Sequence, residues 1–413
     1  MRSFLKALIL SLTAAVFTFS QTPKVKTGIE VLRDNSFNIL AGKRVGLITN
    51  PTGVNSKLVS TVDILFHAKN VKLVALFGPE HGVRGDFSAG ADVESYTDKE
   101  TGIPVYSLYG RTSKPTPKML KGIDVLVYDI QDIGCRSYTY ISTMGKAMEA
   151  AAENNIQFVV LDRPNPLGGN MVEGNLVEDG FQTFVSAYKI PYVYGLTCGE
   201  LAEMLNKEGM LKNGEKCKLT VVPMKGWKRS MSFEDTGLPW VLTSPHVPHF
   251  DTPEYYVLSG IMGELGTLSE GVGYTLPFQV FAAEWIDADQ LAEKMNALGL
   301  KGVLFRPINF KPFYGRDKDK ELHGVEVNLT DYRKVNLMSL QFLFMQVQTE
   351  MYPDKNPFTM ATKQRLRFFD DVCGTSRVRE MFSKNMKYDD IKDFLNKDVK
   401  KFKELSRRFY LYR

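Results

Sequence analysis

Within residues 71–86 (VKLVALFGPEHGVRGD) a short apolar run gives way to four groups able to do polar chemistry: Glu80, His81, Arg84 and Asp86. A carboxyl group beside apolar residues resists ionisation and so suits proton donation. Two carboxyl groups facing one cleft are what cleavage of a glycosidic bond requires. Two later clusters repeat the pattern. Asp129, Gln131, Asp132 and Arg136 stand at or just beyond the end of residues 124–130 (DVLVYDI), and Asp162, Arg163 and Asn165 follow residues 156–161 (IQFVVL). Asp129 and Asp132 are candidates for the second carboxylate. Arg84, Arg136 and Arg163 can clamp an anionic substrate group, because guanidinium pairs bidentately with carboxylate. Tyr109, Tyr138 and Tyr140 can stack on a sugar face. Structural uses compete with these: Asp129 or Asp132 can cap the next helix, and Asp162 with Arg163 can form an ion pair under a sheet edge.

Each cluster stands at the end of an apolar run of strand length, and that regularity dictates the fold. Leu73, Val74, Ala75, Leu76 and Phe77 are unbroken, as in a parallel strand covered on both faces. Gly82 and Gly85 allow a tight turn after it. Strands are expected at 43–50, 71–77, 103–108, 124–130, 156–161 and 219–222, the first ending in Asn50. Helices are expected at 56–68, 138–153 and 198–207, with a short helix or turn at 115–120. Thr197 and Glu200 form a capping box for the helix at 198–207. This alternation predicts an α/β fold, a doubly wound parallel sheet whose strand ends gather at one edge. The sheet is Rossmann-like, yet no GxGxxG follows the first strand and no Walker A motif occurs, so no nucleotide cofactor is expected.

Beyond Trp240 the texture changes. Residues 244–256 are rich in proline and aromatics and hold His246 and His249, and residues 268–274 (LSEGVGY) put Glu270 in a glycine-rich loop. The two histidines have no third ligand nearby, and no metal is expected. Helices are expected at 288–297 and 336–350, a strand at 324–329, and two further helices between 374 and 412. The division is a Rossmann-like catalytic domain over 24–243 and a smaller α+β auxiliary domain over 244–413, whose first loops lean over the site.

A chain of 413 residues fits two domains. Its 44% hydrophobic and 24% charged residues are those of a soluble globular protein. The net charge of +5 is spread among acids, which gives nucleic acid no footprint. Residues 1–20 read as a signal peptide: Arg2 and Lys6, then an apolar run at 7–19, then Thr18-Phe19-Ser20 before Gln21. The run is short for a membrane span, and no cysteine follows it to carry lipid. Export to the periplasm or outside the cell is expected, with no stable membrane anchor. Cys135, Cys198, Cys217 and Cys373 fit no metal motif. A Cys198–Cys217 disulfide and separate buried thiols are both open.

Several segments resemble the NamZ-type exo-β-N-acetylmuramidases, formerly a domain-of-unknown-function family. They are GLITNPTGV, GPEHGVRGD, TGIPVYSLYG, KPTPKML, DVLVYDIQDIGCRSYTYISTM, LDRPNPLGG followed by VEGN with Glu173, and LSEG with the PF that follows. The likeness runs from about residue 28 to 413. It implies a Rossmann-like catalytic domain, a C-terminal auxiliary domain and a cleft between them. It further implies cofactor-free release of a terminal, non-reducing N-acetylmuramic acid from peptidoglycan fragments. The PEHG glutamate falls on Glu80, which the resemblance makes the catalytic acid. The lactyl carboxylate of muramic acid is the anion the arginines would bind. The chain departs from the pattern at Pro245-His246, at Val272 within SEGVG, and at residues 193–197, all in segments expected to face substrate. The residues taken as binding substrate are Asn50, His81, Arg84, Tyr109, Gln131, Arg136, Tyr138, Arg163, Asn165, Glu173, His246 and Glu270. Two other readings use the same positions: a non-catalytic protein that captures cell-wall sugars, and a metal-dependent hydrolase built on Glu80, His81, Asp129 and Asp132.

Overall fold

The structure is a computed structural model that describes residues 24–80, 82–85, 95–110 and 112–413. The expected signal peptide, His81 and Asp86 lie outside the described residues.

The first half alternates as its pattern predicts. Helix α1 (Gly28–Asp34) leads into β1 (Arg44–Thr49), α2 (Thr61–Phe66) and β2 (Lys72–Gly78). Then come β3 (Tyr96–Thr97), β4 (Pro104–Ser107), α3 (Pro117–Leu120), β5 (Val125–Asp129) and α4 (Tyr140–Glu153). Strand β6 (Gln157–Leu161), helix α5 (Cys198–Lys207) and β7 (Lys218–Val222) complete the set. The sheet order is β3-β4-β2-β1-β5-β6-β7, parallel except for β3. The order reverses beside β1, since β2 lies on one side of it and β5 on the other. Open α/β sheets place ligand crevices at such a switch point.

Both faces of the sheet are covered, which explains the unbroken apolar runs. Val125 and Val127 pack with Ile29, Leu32, Val62 and Leu65 on one side. Leu126 and Tyr128 pack with Ile141, Met144, Met148 and Leu201 on the other. Helix α5 carries the expected capping box of Thr197 and Glu200. Helix α2 is shorter than its apolar spacing suggests. The Asn55 side chain accepts the N–H groups of Lys57 and Val59 at 2.9 Å each, a local turn that competes with helix. Ser60 then starts the helix by accepting from Val62 N–H. Leu58 and Val59, within the expected helix, are exposed.

The second half begins with α6 (Thr252–Gly263), where the Pro-rich texture had suggested loop. Pro253 sits in its first turn, where a missing N–H costs nothing. Strands β8 (Val280–Ala283), β9 (Val303–Phe310) and β10 (Leu322–Leu329) form an antiparallel sheet of order β8-β10-β9, with α7 (Ala288–Ala297) between the first two in sequence. Then follow α8 (Leu337–Met351), α9 (Pro357–Met360), α10 (Lys363–Cys373), α11 (Arg377–Asn385), α12 (Asp389–Asn396) and α13 (Val399–Ser406). The C-terminal stretch thus holds three helices beyond Gly374, where two were expected.

The halves share one apolar core. Ile133, Cys135, Tyr192 and Val193 of the first pack with Val257, Ile261, Phe281 and Phe342 of the second. The chain end also returns to the first half: Phe402 and Phe409 join its core, and the Tyr412 hydroxyl donates to Asp162 at 2.5 Å. All four cysteines are buried free thiols. No helix among the described residues is long and apolar enough to cross a membrane.

Candidate active site

Strand β2 ends at Gly78, and the chain folds back so closely that a Cβ there would meet Val83 N at 3.0 Å. Gly82 and Gly85 take φ of +75° and +82°, which only glycine adopts without strain. Arg84 holds this turn in place. Its guanidinium donates to Asp98 at 2.9 and 3.1 Å and to Asp63 at 3.2 Å. Arg84 is therefore spent within the protein and braces the loop that carries Glu80, in place of the substrate contact expected of it.

Glu80 borders a cavity of about 490 Å³ whose lining comes from both halves of the chain. Tyr109, just beyond β4, stands beside it. Burial, then the charge and hydrogen bond of Glu80, push the Tyr109 hydroxyl up to about 12. Ser137, Tyr138 and Thr139, ahead of α4, and Tyr140, its first residue, form the floor. The rings of Tyr138 and Tyr140 meet edge to face at 5.0 Å. Their hydroxyls donate to Thr243, Tyr138 to Oγ1 at 2.7 Å and Tyr140 to the carbonyl at 2.5 Å. Burial raises both hydroxyls well above their ordinary range, so they remain donors. Asn50 lies beneath this floor. Its Oδ1 accepts from the Thr52 N–H and hydroxyl, and its side chain rests against Tyr140.

The facing wall belongs to the second half: Ser244, Pro245, His246, Val247, Tyr256, Glu264, Phe278 and Phe368. His246 stacks on Tyr314 with centroids 5.8 Å apart. Tyr256 shares a hydroxyl contact of 3.2 Å with Ser137 and so joins wall to floor. Tyr256 and Glu264 went unnoticed in the sequence. Both belong to α6 or its C-terminal end, and the Pro-rich texture that hid that helix hid them too.

Several expected site residues do other work. Asp129 is wholly buried; it takes Arg163 Nε at 2.5 Å and the Thr61 hydroxyl at 2.5 Å. Arg163 also donates to the Val54 carbonyl. The ion pair is thus Asp129–Arg163 across two strand ends, while Asp162 accepts from the Thr197 and Tyr412 hydroxyls. Gln131 and Arg163 border a separate crevice of about 20 Å³, room for little more than one water. The Gln131 amide donates to the Asp132 and Pro164 carbonyls. Asn165 ties Leu167 N–H to the Leu196 carbonyl.

Arg136 lies at the junction of the halves and donates to the carbonyls of Asn175, Ile190, Val372 and Cys373. No route to an anionic ligand remains, since it is only 1% exposed. Asp132 accepts from Gly134 N–H at 2.7 Å and from the Tyr194 hydroxyl, while its Oδ1 is buried without a partner. Burial pushes its carboxyl up to about 6. Glu173 accepts the Leu337 and Met338 N–H groups at the start of α8, the use a helix N-terminus makes of a carboxylate. Burial raises it to about 7. Glu270 receives Arg316 at 3.0 Å. Of the cluster proposed for a metal, His81 lies outside the described residues, and among the described residues no group of three or more His, Cys, Asp or Glu side chains is placed to hold a metal ion.

Residues 45–251 match the N-terminal family model of exo-β-N-acetylmuramidase NamZ, and residues 255–412 match its C-terminal model. The chain is 44% identical over 393 residues to the peptidoglycan β-N-acetylmuramidase NamZ of Bacillus subtilis strain 168, covering 95% of this chain and 92% of that protein. Two crystal structures of DUF1343-family proteins from Bacteroides fragilis are also similar. One has 58% identity and a TM-score of 0.91, over 95% of this chain and 100% of that one. The other has 31% identity and a TM-score of 0.76, over 94% and 99%. The fold, the shared cavity and both family matches lead to one statement: this chain belongs to the NamZ exo-β-N-acetylmuramidase family.

Proposed function

We propose that this protein is an exo-acting glycoside hydrolase that releases N-acetylmuramic acid from the non-reducing end of peptidoglycan fragments. The observation that carries the reading is the cavity of about 490 Å³ that sets Glu80 among the hydroxyl-bearing rings of Tyr109, Tyr138, Tyr140 and Tyr256. A sugar needs one acid/base carboxylate near its anomeric carbon, polar groups to meet its hydroxyls and aromatic faces for its apolar side. The cavity supplies all three, and a relative 44% identical is named for this activity. Glu80 is one of the two catalytic carboxylates. The chemistry is acid/base catalysis by side chains and calls on no cofactor. Peptidoglycan lies outside the cytoplasmic membrane, and export through residues 1–20 would bring the enzyme to it; mass measurement of the secreted protein should find Gln21 as its first residue.

Purified mature protein should release free N-acetylmuramic acid from the disaccharide MurNAc-GlcNAc, with and without EDTA. Glu80→Gln should lower turnover by at least ~100-fold, the usual worth of a general acid or base, without changing the melting temperature. A folded protein that binds the disaccharide but releases nothing would overturn the reading in favour of a sugar-capture protein.

A further inference from the structure

The strand-end aspartates do not reach the cavity, so the partner of Glu80 must come from elsewhere. Among the described residues, the carboxyl group that borders the cavity besides Glu80 is that of Glu264, the residue just after α6. It stands on the wall built by the second half, whereas Glu80 stands on the wall built by the first.

Resting on the function proposed above, we propose that Glu264 is the proton donor of the reaction and that Glu80 is the second carboxyl group of the same cavity. Their surroundings differ. Glu80 has the Tyr109 hydroxyl hydrogen-bonded to it. Glu264 has no such donor among the described residues. Its nearest cation is Arg365 of α10 at 3.6 Å, beyond a good hydrogen bond. It also sits at a helix C-terminus, where the carbonyl ends disfavour negative charge. The groups facing it are Glu270, Arg365, Arg316 and Tyr256. Glu270 packs against the end of α6, where a Cβ on Gly263 would meet its carboxyl carbon at 2.8 Å. Burial first, then the charge of Glu270, push Glu264 up to about 7, with Arg365 and Arg316 opposing. Two carboxyl groups in one cleft, one of them held protonated by its environment, is the arrangement acid/base glycosidases need.

In the step, the C1–O bond breaks and its electron pair stays on the departing oxygen. That oxygen takes the Glu264 proton and leaves as an alcohol. Water supplies the oxygen that ends on C1; one of its protons stays in the new hydroxyl and the other restores the carboxyl pair.

The test compares Glu264→Gln, Glu80→Gln and Arg365→Met with wild type on two substrates. MurNAc-GlcNAc has a leaving group that must be protonated, whereas 4-nitrophenyl β-MurNAc has one that departs as an anion. Glu264→Gln should lose at least ~100-fold in kcat on the disaccharide and stay within about tenfold on the nitrophenyl glycoside. The wild-type rate should fall as pH rises through the Glu264 titration, and that alkaline limb should vanish in Glu264→Gln. Glu80→Gln should lose both substrates. Equal losses on both substrates in Glu264→Gln, matched by Arg365→Met with a lowered melting temperature, would mark Glu264 as a structural ion-pair partner and overturn the assignment. Undiminished disaccharide turnover in Glu264→Gln would overturn it as well. Wild type inactive on both substrates would refute the muramidase reading itself, and the assignment with it.

Discussion

Arg136 offers the sharpest separation between a binding role and a structural one. Its type and place beyond β5 suit a clamp on the lactyl carboxylate of muramic acid. The structure instead spends its guanidinium on four main-chain carbonyls, two of them from α10 in the other half of the chain. In Arg136→Met the aliphatic stem is kept and the four bonds are lost. At about 1 kcal/mol net per bond the loss is about 4 kcal/mol. Part is recovered because a buried cation with no carboxylate partner no longer has to be desolvated. A net cost of about 2–4 kcal/mol remains. At roughly 2 °C per kcal/mol for a chain of this size, the melting temperature should fall by about 4–8 °C. KM for MurNAc-GlcNAc, measured well below that temperature, should stay within about twofold. Arg136→Lys should fare little better in stability, because three donors on one nitrogen cannot reach four carbonyls set around a planar fork. A melting temperature that does not move, with KM raised tenfold or more and partly rescued by lysine, would refute this account and return Arg136 to the substrate.

Asp132 titrates in the wrong direction for stability at neutral pH. Its folded-state value of about 6 exceeds the ordinary 3.8, so the folded protein binds the proton more tightly, and stability falls as pH rises from about 4 to 6. The shift amounts to about 3 kcal/mol at 1.36 kcal/mol per unit. Urea unfolding across that range should show this slope in wild type and a flatter one in Asp132→Asn; parallel slopes would count against it. Arg84→Gln should lower kcat by about tenfold with little change in melting temperature, because it loosens the turn beside Glu80 without opening a core; unaltered kcat would show that the brace is dispensable. Glu173→Ala should cost about 1 kcal/mol by uncapping α8 and leave KM alone, as denaturation and steady-state kinetics would report.

The sheet was legible because its physics is local. Covered parallel strands must be apolar throughout, and the chain obeys that rule from Val125 to Tyr128 with no interruption. The capping box at Thr197 and Glu200 was legible for the same reason, since donor and acceptor lie three residues apart. Helix α2 was misjudged because Asn55 offers its neighbours a competing turn that apolar spacing does not register. Helix α6 was missed because the stretch that opens it is rich in proline and aromatics, although Pro253 in a first turn is harmless.

The site divides along the same line. Residue type says that a group can bind an anion, and it says nothing of whether the fold has already supplied a partner. Arg163 meets Asp129, Arg84 meets Asp98, and Arg136 meets four carbonyls, all through contacts at least 14 residues apart in sequence. A cation at a strand end can be satisfied internally, by a carboxylate as for Arg84 and Arg163 or by main-chain carbonyls of loops and a helix end as for Arg136. The tyrosines differ: burial of the ring stabilises the fold while the hydroxyl still needs a polar neighbour, so they collect where core meets cavity. That is where Tyr138, Tyr140 and Tyr256 stand. The lining from the second half follows from the docking of the two halves through one apolar core, which brings Glu264 to the cavity that Glu80 borders. A strand-end motif can therefore announce one half of an acid/base pair, while its partner is set by the packing of Val257 and Ile261 against Ile133 and Tyr192.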